Sequence, residues 1–514
     1  MDRWGILVLR STIITAFLAL PFTSPAHSER SGSTLESSFV SSTYEEQVGG
    51  YAMKAVCVSS FAVAASILAG LSFRPVASTA AEPLTLNNGQ MYLMLDHRLG
   101  GVGDACTLQV HSFHRYAGNP IIKPDPKWPH GVGQILWDEN ERLFKMWYYA
   151  GIADTILVGY ATSKDGIQWE RPSLGQFEVR GSRDNNIVYT GVVPALVRRF
   201  PKAAAADQRY VMWALQMTRS PDGIGEEKEN GIYRFTSPDG VRWSRASTTP
   251  CIPGNAKVTP TFPGDPDRPL VEGVIDDVSC VYWFEQLGKY VCYHKVMTRN
   301  PRPYSTTKGV GNIRQFARFE STDGITWNTD KPTWAFYVDD KDEAWEPYLQ
   351  FYGIGILPVG DLYLATTMEW HSGKQDNMEV GLAYSTDTIK WHRPFRGRFI
   401  LPRSAEGEWD WGQTRQAAGV IEKDGMWWLY YTGYPFTHDD PLRKQHYYTG
   451  IGLARTPVGR VVSARSWKSK GTWTVGPLIL NGQTLSINAR VYKEMDIEVL
   501  DNSGQPVPGF TAKI

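Results

Sequence analysis

The stretch Ser163–Trp169, SKDGIQW, decides the fold, because the chain repeats it three more times. The later copies are SPDGVRW at 237–243, STDGITW at 321–327 and STDTIKW at 385–391, where Thr388 replaces the glycine. Successive copies start 74, 84 and 64 residues apart. A motif that returns at a roughly constant period is typical of a repeat architecture, in which each copy belongs to one supersecondary unit.

Each copy of this turn motif has the chemistry of a β-hairpin. Apolar runs such as 156–161 and 380–384 precede it, and the Trp opens the next strand. Gly accepts a positive φ and Asp bonds nearby backbone amides, so Asp-Gly strongly favours a turn. Four unrelated surface hairpins are the alternative, which the matching Ser, Asp and Trp disfavour. We therefore predict that the Asp residues serve the turns and that the Trp residues serve mainly packing.

The remaining strand-like segments group into five units around these turns. The first unit contains runs at 133–137, 143–149 and 156–162, and the last has an incomplete copy of the motif at 455–459. Because no long helical periodicity accompanies the short strands, the sequence predicts an all-β fold, a five-bladed β-propeller over residues 83–465. A β-sandwich is the competing all-β fold, and the repeat counts against it.

Residues 466–514 alternate polar and apolar side chains and are expected to form a short C-terminal β-sandwich-like segment, either truncated or packed on the propeller. The composition is that of an ordinary globular protein, with 42% hydrophobic and 21% charged residues. A formal net charge of zero gives no indication of nucleic acid or an anionic membrane as a partner. The 19 Trp and 25 Tyr suit both all-β packing and sugar-binding surfaces, so they do not discriminate.

The first 82 residues contain two export-like segments. One runs from Met1 to Phe22, and the other begins at Met53, continues to Phe73 and ends in the Ala-rich run 77–81. The second has the basic start, apolar core and small-residue end of a signal peptide. We therefore expect Met53 to be the true start and the protein to be exported, periplasmic or secreted, with no stable membrane span after cleavage. The alternative is an N-terminus anchored by one span.

The cysteines fit an exported protein without proving disulfides. Outside the export region the chain has Cys106, Cys251, Cys280 and Cys292, an even number. Cys280 and Cys292 flank a predicted turn, and the sequence leaves open whether they pair or remain free and buried. No His or Cys cluster has metal-ligand spacing, so neither a metal nor a cofactor is expected.

Several of these features resemble one bacterial family of exported proteins. They are Asn119-Pro120, the strand Phe144–Tyr148, the turn motifs and the tail 471–510. That family is similar to glycoside hydrolase families 43 and 32, and the resemblance covers residues 85–513. It implies a five-bladed propeller with a funnel at its axis, lined by carboxylates from the starts of the innermost strands. The motif is specific for the fold but gives little information about the substrate. A function inferred from the fold alone is therefore an analogy.

Glycosidic cleavage needs two carboxyl groups, one protonated and one ionised, that flank the bond. In the propeller they are expected just before the first strand of each unit. In the third unit this position holds Asp276 and Asp277, and the resemblance favours Asp276 as a residue that modulates the acid or stabilises the transition state. In the fourth unit Glu346 resembles the general acid of family 43, with Glu343 as a near rival. For the aspartates the alternative is a turn or strand-capping role.

The first and last units supply weaker candidates. Asp125 and His130 are candidates for the base or nucleophile, because Trp128-Pro129-His130-Gly131 replaces the Asp expected at that strand start. Asp125 alternatively only starts a turn. In the last unit Asp410 precedes the inner strand and fits a substrate contact or an acid, and Arg415 can bind a carboxylate, a sulfate or a hydroxyl group.

Tryptophans near these acids are candidate platforms for sugar rings, namely Trp128, Trp345, Trp409 and Trp411. Their alternative role is packing between blades.

The sequence thus predicts an exported glycosidase that acts on a polysaccharide or oligosaccharide, with Asp276 and Glu346 as the best catalytic candidates. A non-catalytic carbohydrate-binding propeller and a glycoside phosphorylase are the alternatives. The phosphorylase requires a cationic phosphate pocket that faces the carboxylates.

Overall fold

Strands form nearly all the regular structure in the computed structural model of this chain. It describes residues 4–11, 14–18, 82–125, 130–152, 155–199, 205–216, 230–254, 256–299, 312–346, 348–373, 375–416, 419–441, 449–481, 485–501 and 503–513. Trp128 and Met53 lie outside these residues, and so do the side chains of His130, Asp277 and Trp345.

The strands are numbered in chain order. The first sixteen are β1 (Trp4–Ser11), β2 (Ile14–Leu18), β3 (Leu84–Asn87), β4 (Val102–Asp104), β5 (Cys106–Val110), β6 (His114–Arg115), β7 (His130–Asp138), β8 (Leu143–Ile152), β9 (Thr155–Ser163), β10 (Ile187–Thr190), β11 (Val192–Arg199), β12 (Tyr210–Gln216), β13 (Gly231–Ser237), β14 (Ser244–Arg245), β15 (Ile252–Pro253) and β16 (Lys257–Val258). The others are β17 (Gly273–Phe284), β18 (Lys289–Arg299), β19 (Asn312–Ser321), β20 (Thr333–Phe336), β21 (Leu349–Val359), β22 (Leu362–His371), β23 (Asn377–Ser385), β24 (Gln413–Gln416), β25 (Ile421–Lys423), β26 (Met426–Tyr434), β27 (Gly450–Pro457), β28 (Val462–Ser466), β29 (Gly471–Asn481), β30 (Ile487–Val491), β31 (Met495–Leu500) and β32 (Pro506–Lys513).

Helix is scarce in the described part of the chain. It consists of α1 (Asp340–Trp345) and two 3-10 turns, His97–Leu99 and Ala206–Gln208. Among the described residues, no helix has both the length and the hydrophobicity that a membrane crossing requires.

The chain divides into two units. The smaller comprises residues 1–90, 97–107 and 464–514, and the larger comprises 91–96 and 108–463. In the smaller unit β29 is central, because it pairs with β3, β4 and β1. Strand β1, from the predicted export region, also pairs with β31, which pairs with β32. The export signal and the nature of the C-terminal segment stay predictions.

The larger unit is a series of antiparallel meanders. The first is β7 to β10 and the second is β11 to β14, with β15 beside β13. The third is β16 to β20. The fourth, β21 to β23, shares one sheet with the last, in which β24, β26 and β27 are followed by β6. Strand β6 precedes the first meander in sequence, so the last meander is completed by an earlier part of the chain.

The turn motif forms the same hydrogen bonds in all four copies. The Ser hydroxyl donates to the Asp Oδ1 at 2.9–3.1 Å, and the residue after Asp donates its N–H to the Ser Oγ at 2.8–2.9 Å. The same Oδ1 accepts two further N–H groups. In Asp323 burial acts to raise the pKa, but the N–H groups of Thr326 and Ile325 outweigh it and lower the pKa to about 2. The predicted turn role of these aspartates is confirmed.

Aromatic side chains of one meander bind these turns in another. Trp147 Nε1 of the first meander donates to Gly240 O of the second at 2.7 Å, and Trp213 Nε1 donates to Gly324 O of the third at 2.9 Å. These bonds satisfy buried carbonyl groups of the tight turns.

Two further bonds of the same type extend the series. Tyr293 OH of the third meander donates to Thr388 O after the fourth at 2.8 Å, and Tyr430 OH of the last donates to Gly166 O of the first at 2.9 Å. The fourth and last meanders are linked by Gln416 Nε2, which donates to Thr366 O at 3.0 Å.

The tryptophans of the motif pack in the hydrophobic core, as predicted. Trp327 is buried with Trp213 and Trp334, and Trp169, Trp243 and Trp391 pack against three other clusters. The thiols Cys106, Cys251, Cys280 and Cys292 are free, so Cys280 and Cys292 do not pair. Burial raises the pKa of Cys280 to about 12, and its Sγ lies 2.7 Å from Ile354 O.

The contact between a turn glycine and its aromatic neighbour can be tested at Gly324. This residue has a φ of 71°, and an added Cβ would lie 2.8 Å from the Trp213 ring. We expect Gly324→Ala to lower the free energy of unfolding by about 2–4 kcal/mol, because strain and overpacking add. Chemical denaturation measures the change. The control is Gly181→Ala, where φ is 76° and no atom lies within 4 Å of the new Cβ, with an expected loss of about 1 kcal/mol. Equal losses would contradict the packing role.

Candidate functional site

The two best catalytic candidates lie at the strand ends opposite the turn motifs. Asp276 is near the start of β17, and the motif at 321–327 follows the far end of β19, which runs in the same direction. Glu346 lies between α1 and the start of β21 at Leu349, and the motif at 385–391 begins at the far end of β23. Asp276 and Glu346 therefore lie at the ends of their meanders that are opposite the turn motifs at 321–327 and 385–391.

Asp276 lies in an irregular part of its strand and contacts two cations. The pairing of β17 with β18 is interrupted between Ile275 and Ser279, and such bulges re-aim side chains. Asp276 Oδ2 is 3.2 Å from Lys295 Nζ and 4.0 Å from Arg314 Nε. The side chain of Lys295 is only 1% exposed, whereas that of Asp276 is 18% exposed. A buried ammonium group requires such a partner.

Glu346 is positioned by the end of helix α1. Asp339 caps the start of the helix, and Asp342 accepts hydrogen bonds from Arg393 and Arg396. The Glu346 N–H donates to Asp342 O at 2.6 Å, and its own Oε1 accepts from the Tyr348 N–H at 3.2 Å. The helix and its two arginines therefore fix the backbone from which the Glu346 side chain extends.

His371 lies between two carboxylates. Its Nδ1 is 3.7 Å from Glu346 Oε2, and its Nε2 is 3.9 Å from Glu379 Oε2. The contact with His371 lowers the pKa of Glu346 and outweighs burial, which acts in the opposite direction. Glu346 is thus ionised at neutral pH in this arrangement. Burial raises the pKa of the neighbouring Glu369, whose Oε1 accepts from Thr367 Oγ1 at 2.9 Å.

Gln350 connects the surroundings of Asp276 and Glu346. Its Oε1 accepts from the N–H and guanidinium of Arg314 at 3.2 and 3.0 Å. Its Nε2 donates to Ser372 Oγ at 2.8 Å, and that hydroxyl donates to Tyr348 O at 2.8 Å. Because Tyr348 also contacts Glu346, a continuous series of contacts joins the two carboxylates.

The ring of Tyr352 lies close to three cationic side chains near Asp276. The Lys295 ammonium lies 4.2 Å from its ring centroid, and the Arg415 guanidinium lies 4.9 Å from it. Arg314 is 5.6 Å away and also stacks over Trp370 at 4.9 Å. Arg415, predicted from the sequence as a ligand-binding residue, therefore lies in the same group as the cations around Asp276.

Asp410 has a different environment from the other predicted acids. Its side chain is fully buried, and its Oδ2 accepts from Arg115 Nε and from Tyr431 OH, both at 2.9 Å. Arg115 also donates to Pro402 O. This burial favours a structural ion pair, and the predicted catalytic role of Asp410 stays a prediction.

Trp409 and Asp125 also lie among other groups. Trp409 stacks on Tyr431 with ring centroids 5.6 Å apart, and a Cβ at Gly452 would lie 2.8 Å from its ring. Trp409 is thus engaged in packing. Asp125 lies in the first part of the larger unit, before β7. The predicted roles of both residues remain untested.

A candidate set of metal ligands consists of Asp376, His438 and Asp439, whose ligand atoms lie within 4.8 Å of one another. Asp376 already accepts from Trp370 Nε1 at 3.0 Å and from the Asp439 N–H at 2.6 Å. His438 Nδ1 is 2.7 Å from Asp439 Oδ1. These hydrogen bonds explain the cluster without an ion.

A cavity of about 630 Å³ lies elsewhere in the larger unit, beside Trp334, Trp391 and Arg396. None of the four predicted catalytic acids is among the described residues that line it. Its lining includes Asp339 and Arg393, which belong to the polar network that holds helix α1. The cavity is therefore adjacent to the support of Glu346 and does not contain its carboxylate.

Sequence reasoning missed Lys295, Arg314, Glu379 and Tyr352, and it placed His371 in a blade loop and disfavoured a functional role for it, whereas His371 is buried at the end of β22. One signal was available for Lys295, because it interrupts the apolar run of β18, and a charged residue within a buried strand requires a partner. For the others the partner belongs to a different strand, so no local pattern marks them.

The comparisons with known proteins come from solved structures, since no family model and no curated protein matches the chain. A complex of BT0996 with RGII is 17% identical, with 68% of this protein and 94% of that one covered and a TM-score of 0.45. A glycoside hydrolase is 15% identical, with 68% and 94% covered and a TM-score of 0.43. A thermostable family-43 glycoside hydrolase is 14% identical, with 65% and 93% covered and a TM-score of 0.40. Such values assign neither substrate nor site residues to this protein.

The influence of His371 on Glu346 can be measured directly. We expect His371→Leu to raise the pKa of Glu346, because its main lowering contact is lost and burial remains. Carbon-13 NMR titration of the side-chain carboxyl measures this shift. In the unaltered protein, ionised Glu346 adds stability above its unfolded pKa, and this contribution is lost as the pH falls through the lower folded pKa. The control is His392→Leu, which removes a ring stacked on Tyr384. An unchanged Glu346 pKa in His371→Leu would rule out the interaction.

A structural role for Asp410 predicts a loss of stability. We expect Asp410→Asn to lower the free energy of unfolding by about 1–3 kcal/mol, because Arg115 loses its buried partner. Denaturant unfolding compares it with Asp267→Asn, which alters an exposed carboxylate and is expected to be neutral. Unaltered stability in Asp410→Asn would refute the ion pair as a stabilising contact.

Proposed function

We propose that this protein is an exported glycoside hydrolase on a five-bladed propeller, in which Asp276 and Glu346 flank the scissile bond. The observation that carries the proposal is the contact series through Gln350, which joins the two carboxylates across two neighbouring meanders. Both side chains are partly exposed, 18% for Asp276 and 20% for Glu346, so a bound sugar can reach them.

The proton for the leaving group is assigned to the Glu346–His371 pair. Glu346 alone is ionised, so it cannot donate without its neighbour. The proposal requires the pair to hold one proton, and Glu379 Oε2 lies 3.9 Å from His371 Nε2 on the far side of the ring. When a sugar displaces water from the site, the local dielectric falls and it costs more to keep Glu346 and His371 both charged. This change favours transfer of the proton to the glycosidic oxygen.

Asp276 is assigned to the other side of the bond. Located beside Lys295 and Arg314, it is assigned to face the positive charge that develops on the sugar in the transition state. The C–O bond breaks as water attacks the anomeric carbon, and the proton of the water passes to a carboxylate. Asp276 fits this second role, and Asp125 remains a predicted alternative for it.

We assign the partly buried ring of Tyr352, which contacts the Lys295 ammonium beside Asp276, to the sugar-binding surface. Aromatic rings with one accessible face stack on sugars and exclude water from the bond to be cleaved. This assignment gives the site a binding surface as well as acid and base groups, which a glycosidase requires.

The test is hydrolysis of a panel of polysaccharides and oligosaccharides, measured as released reducing ends. We expect Glu346→Gln and Asp276→Asn each to lower kcat/KM at least 100-fold, as loss of a general acid or charge-stabilising group does. The matched control is Glu285→Gln, an exposed carboxylate in the turn after β17, at the opposite edge. Circular dichroism and thermal unfolding check that all three variants are folded. Unaltered hydrolysis in both Glu346→Gln and Asp276→Asn would exclude this pair.

A further inference from the structure

We infer that Lys295, Arg314 and Arg415 form a subsite for an oxyanion, a carboxylate, sulfate or phosphate group, beside the proposed catalytic carboxylates. The inference rests on the proposed function for its place in a reaction, and it names the charge of the molecule that the site accepts.

The three cations converge on a single ring. Each of their charged centres lies within 5.6 Å of the Tyr352 centroid, although they come from three different strands, β18, β19 and β24. Like charges gathered around one ring repel one another, and partly buried charges are screened less by salt than exposed ones. One cation would be enough to cover the face of a tyrosine, so packing alone does not explain three.

The carboxylates at this edge compensate the cations incompletely. Asp276 forms an ion pair with Lys295, and its Oδ2 is 4.0 Å from Arg314 Nε. Arg314 Nε is buried and has no hydrogen-bond partner among the described residues. For Arg415, no carboxylate of the described side chains lies within ion-pair distance, and its Nε and Nη2 donate to the neutral Gln413. An oxyanion bound here would supply the missing negative charge.

Arg415 is held in a geometry that suits such a ligand. Its guanidinium lies 4.9 Å from the Tyr352 centroid and 4.6 Å from the Tyr434 centroid, and Gln413 holds one of its edges. Stacking fixes the plane of the group, and the planar fork of an arginine matches the two oxygens of a carboxylate, sulfate or phosphate. The fixed plane lowers the entropy lost on binding.

Partial burial strengthens the attraction. The Arg314 side chain is 24% exposed and that of Lys295 is 1% exposed, so both are largely shielded from water. Charge-assisted hydrogen bonds are stronger in such surroundings than on an open surface. The Tyr352 hydroxyl, 3.3 Å from His438 Nε2, is one further polar group at this place.

Two sources can supply the oxyanion. It is either carried by the glycan, as a uronate or sulfate ester, or it is free phosphate. In the first case the enzyme selects acidic sugars. In the second case a phosphate oxygen attacks the anomeric carbon in place of water, the glycosidic C–O bond breaks, and the leaving oxygen takes the proton of the Glu346–His371 pair.

The experiment measures binding without turnover. Isothermal titration calorimetry on full-length Glu346→Gln, which cannot donate the proton, uses galacturonate, glucuronate, a sulfated galactose, inorganic phosphate, and neutral galactose and glucose. We expect an anionic probe to bind at least tenfold more tightly than the neutral sugars, with affinity that falls as salt rises. Tight binding of the uronates or the sulfated galactose alone assigns a sugar-borne anion, and tight binding of phosphate alone assigns phosphate.

Variants locate the binding. Adding Arg415→Gln or Arg314→Gln should weaken the anionic probe at least tenfold and leave neutral sugars unaffected. The matched control is Arg268→Gln, which removes an arginine stacked in the same manner on Phe262 and Tyr337. Equal binding of anionic and neutral probes, or equal weakening by Arg268→Gln, would overturn the subsite. Anion binding that persists in a protein inactive on every glycan would leave the subsite intact and contradict the hydrolase instead.

Discussion

The hydrogen bond from an aromatic side chain of one meander to a turn carbonyl of another is the contact on which the larger unit depends. Trp147, Trp213, Tyr293 and Tyr430 each make one such bond from an inner strand of a meander. The turn is held by Ser and Asp, the aromatic ring covers it, and the ring belongs to a different sheet. One local motif thus fixes both the hairpin and the neighbour against which it packs, which is the agreement between local and global structure that favours a single fold.

This arrangement separates stability from chemistry. The turn motifs occupy one edge of the sheets, where Asp and Ser are used up in backbone hydrogen bonds. The opposite strand ends hold four charged residues, Asp276, Glu346, Lys295 and Arg314. The Lys295 side chain is buried, and the other three are partly exposed. Charged groups gathered in this way destabilise a sheet unless other contacts support it. The hydrogen-bonded turns at the other strand ends provide that support.

The sequence was a good guide where information is local and a poor one where it is not. The turn motif repeats within one stretch of chain, so its role was predictable, and strand direction then placed Asp276 and Glu346 at a common edge. Lys295 escaped notice because its partner Asp276 belongs to the neighbouring strand, and His371 was assigned to a loop because its contacts with Glu346 and Glu379 form only in the folded sheet. Asp410 illustrates the opposite case, because its position before an inner strand suggested a catalytic role. No local pattern reveals that Arg115 and Tyr431 form hydrogen bonds with its buried carboxylate.

Strand β6 gives the larger unit an order of assembly. It pairs with β27 of the last meander, and Asn119 nearby bonds Leu453 across 334 residues of sequence. During synthesis this segment emerges before every meander, yet its partner strand is made after all of them. The contact closes a loop of 334 residues, so it forms late. Until then the last sheet has an unpaired edge, and a chain released too early would present that edge to other chains.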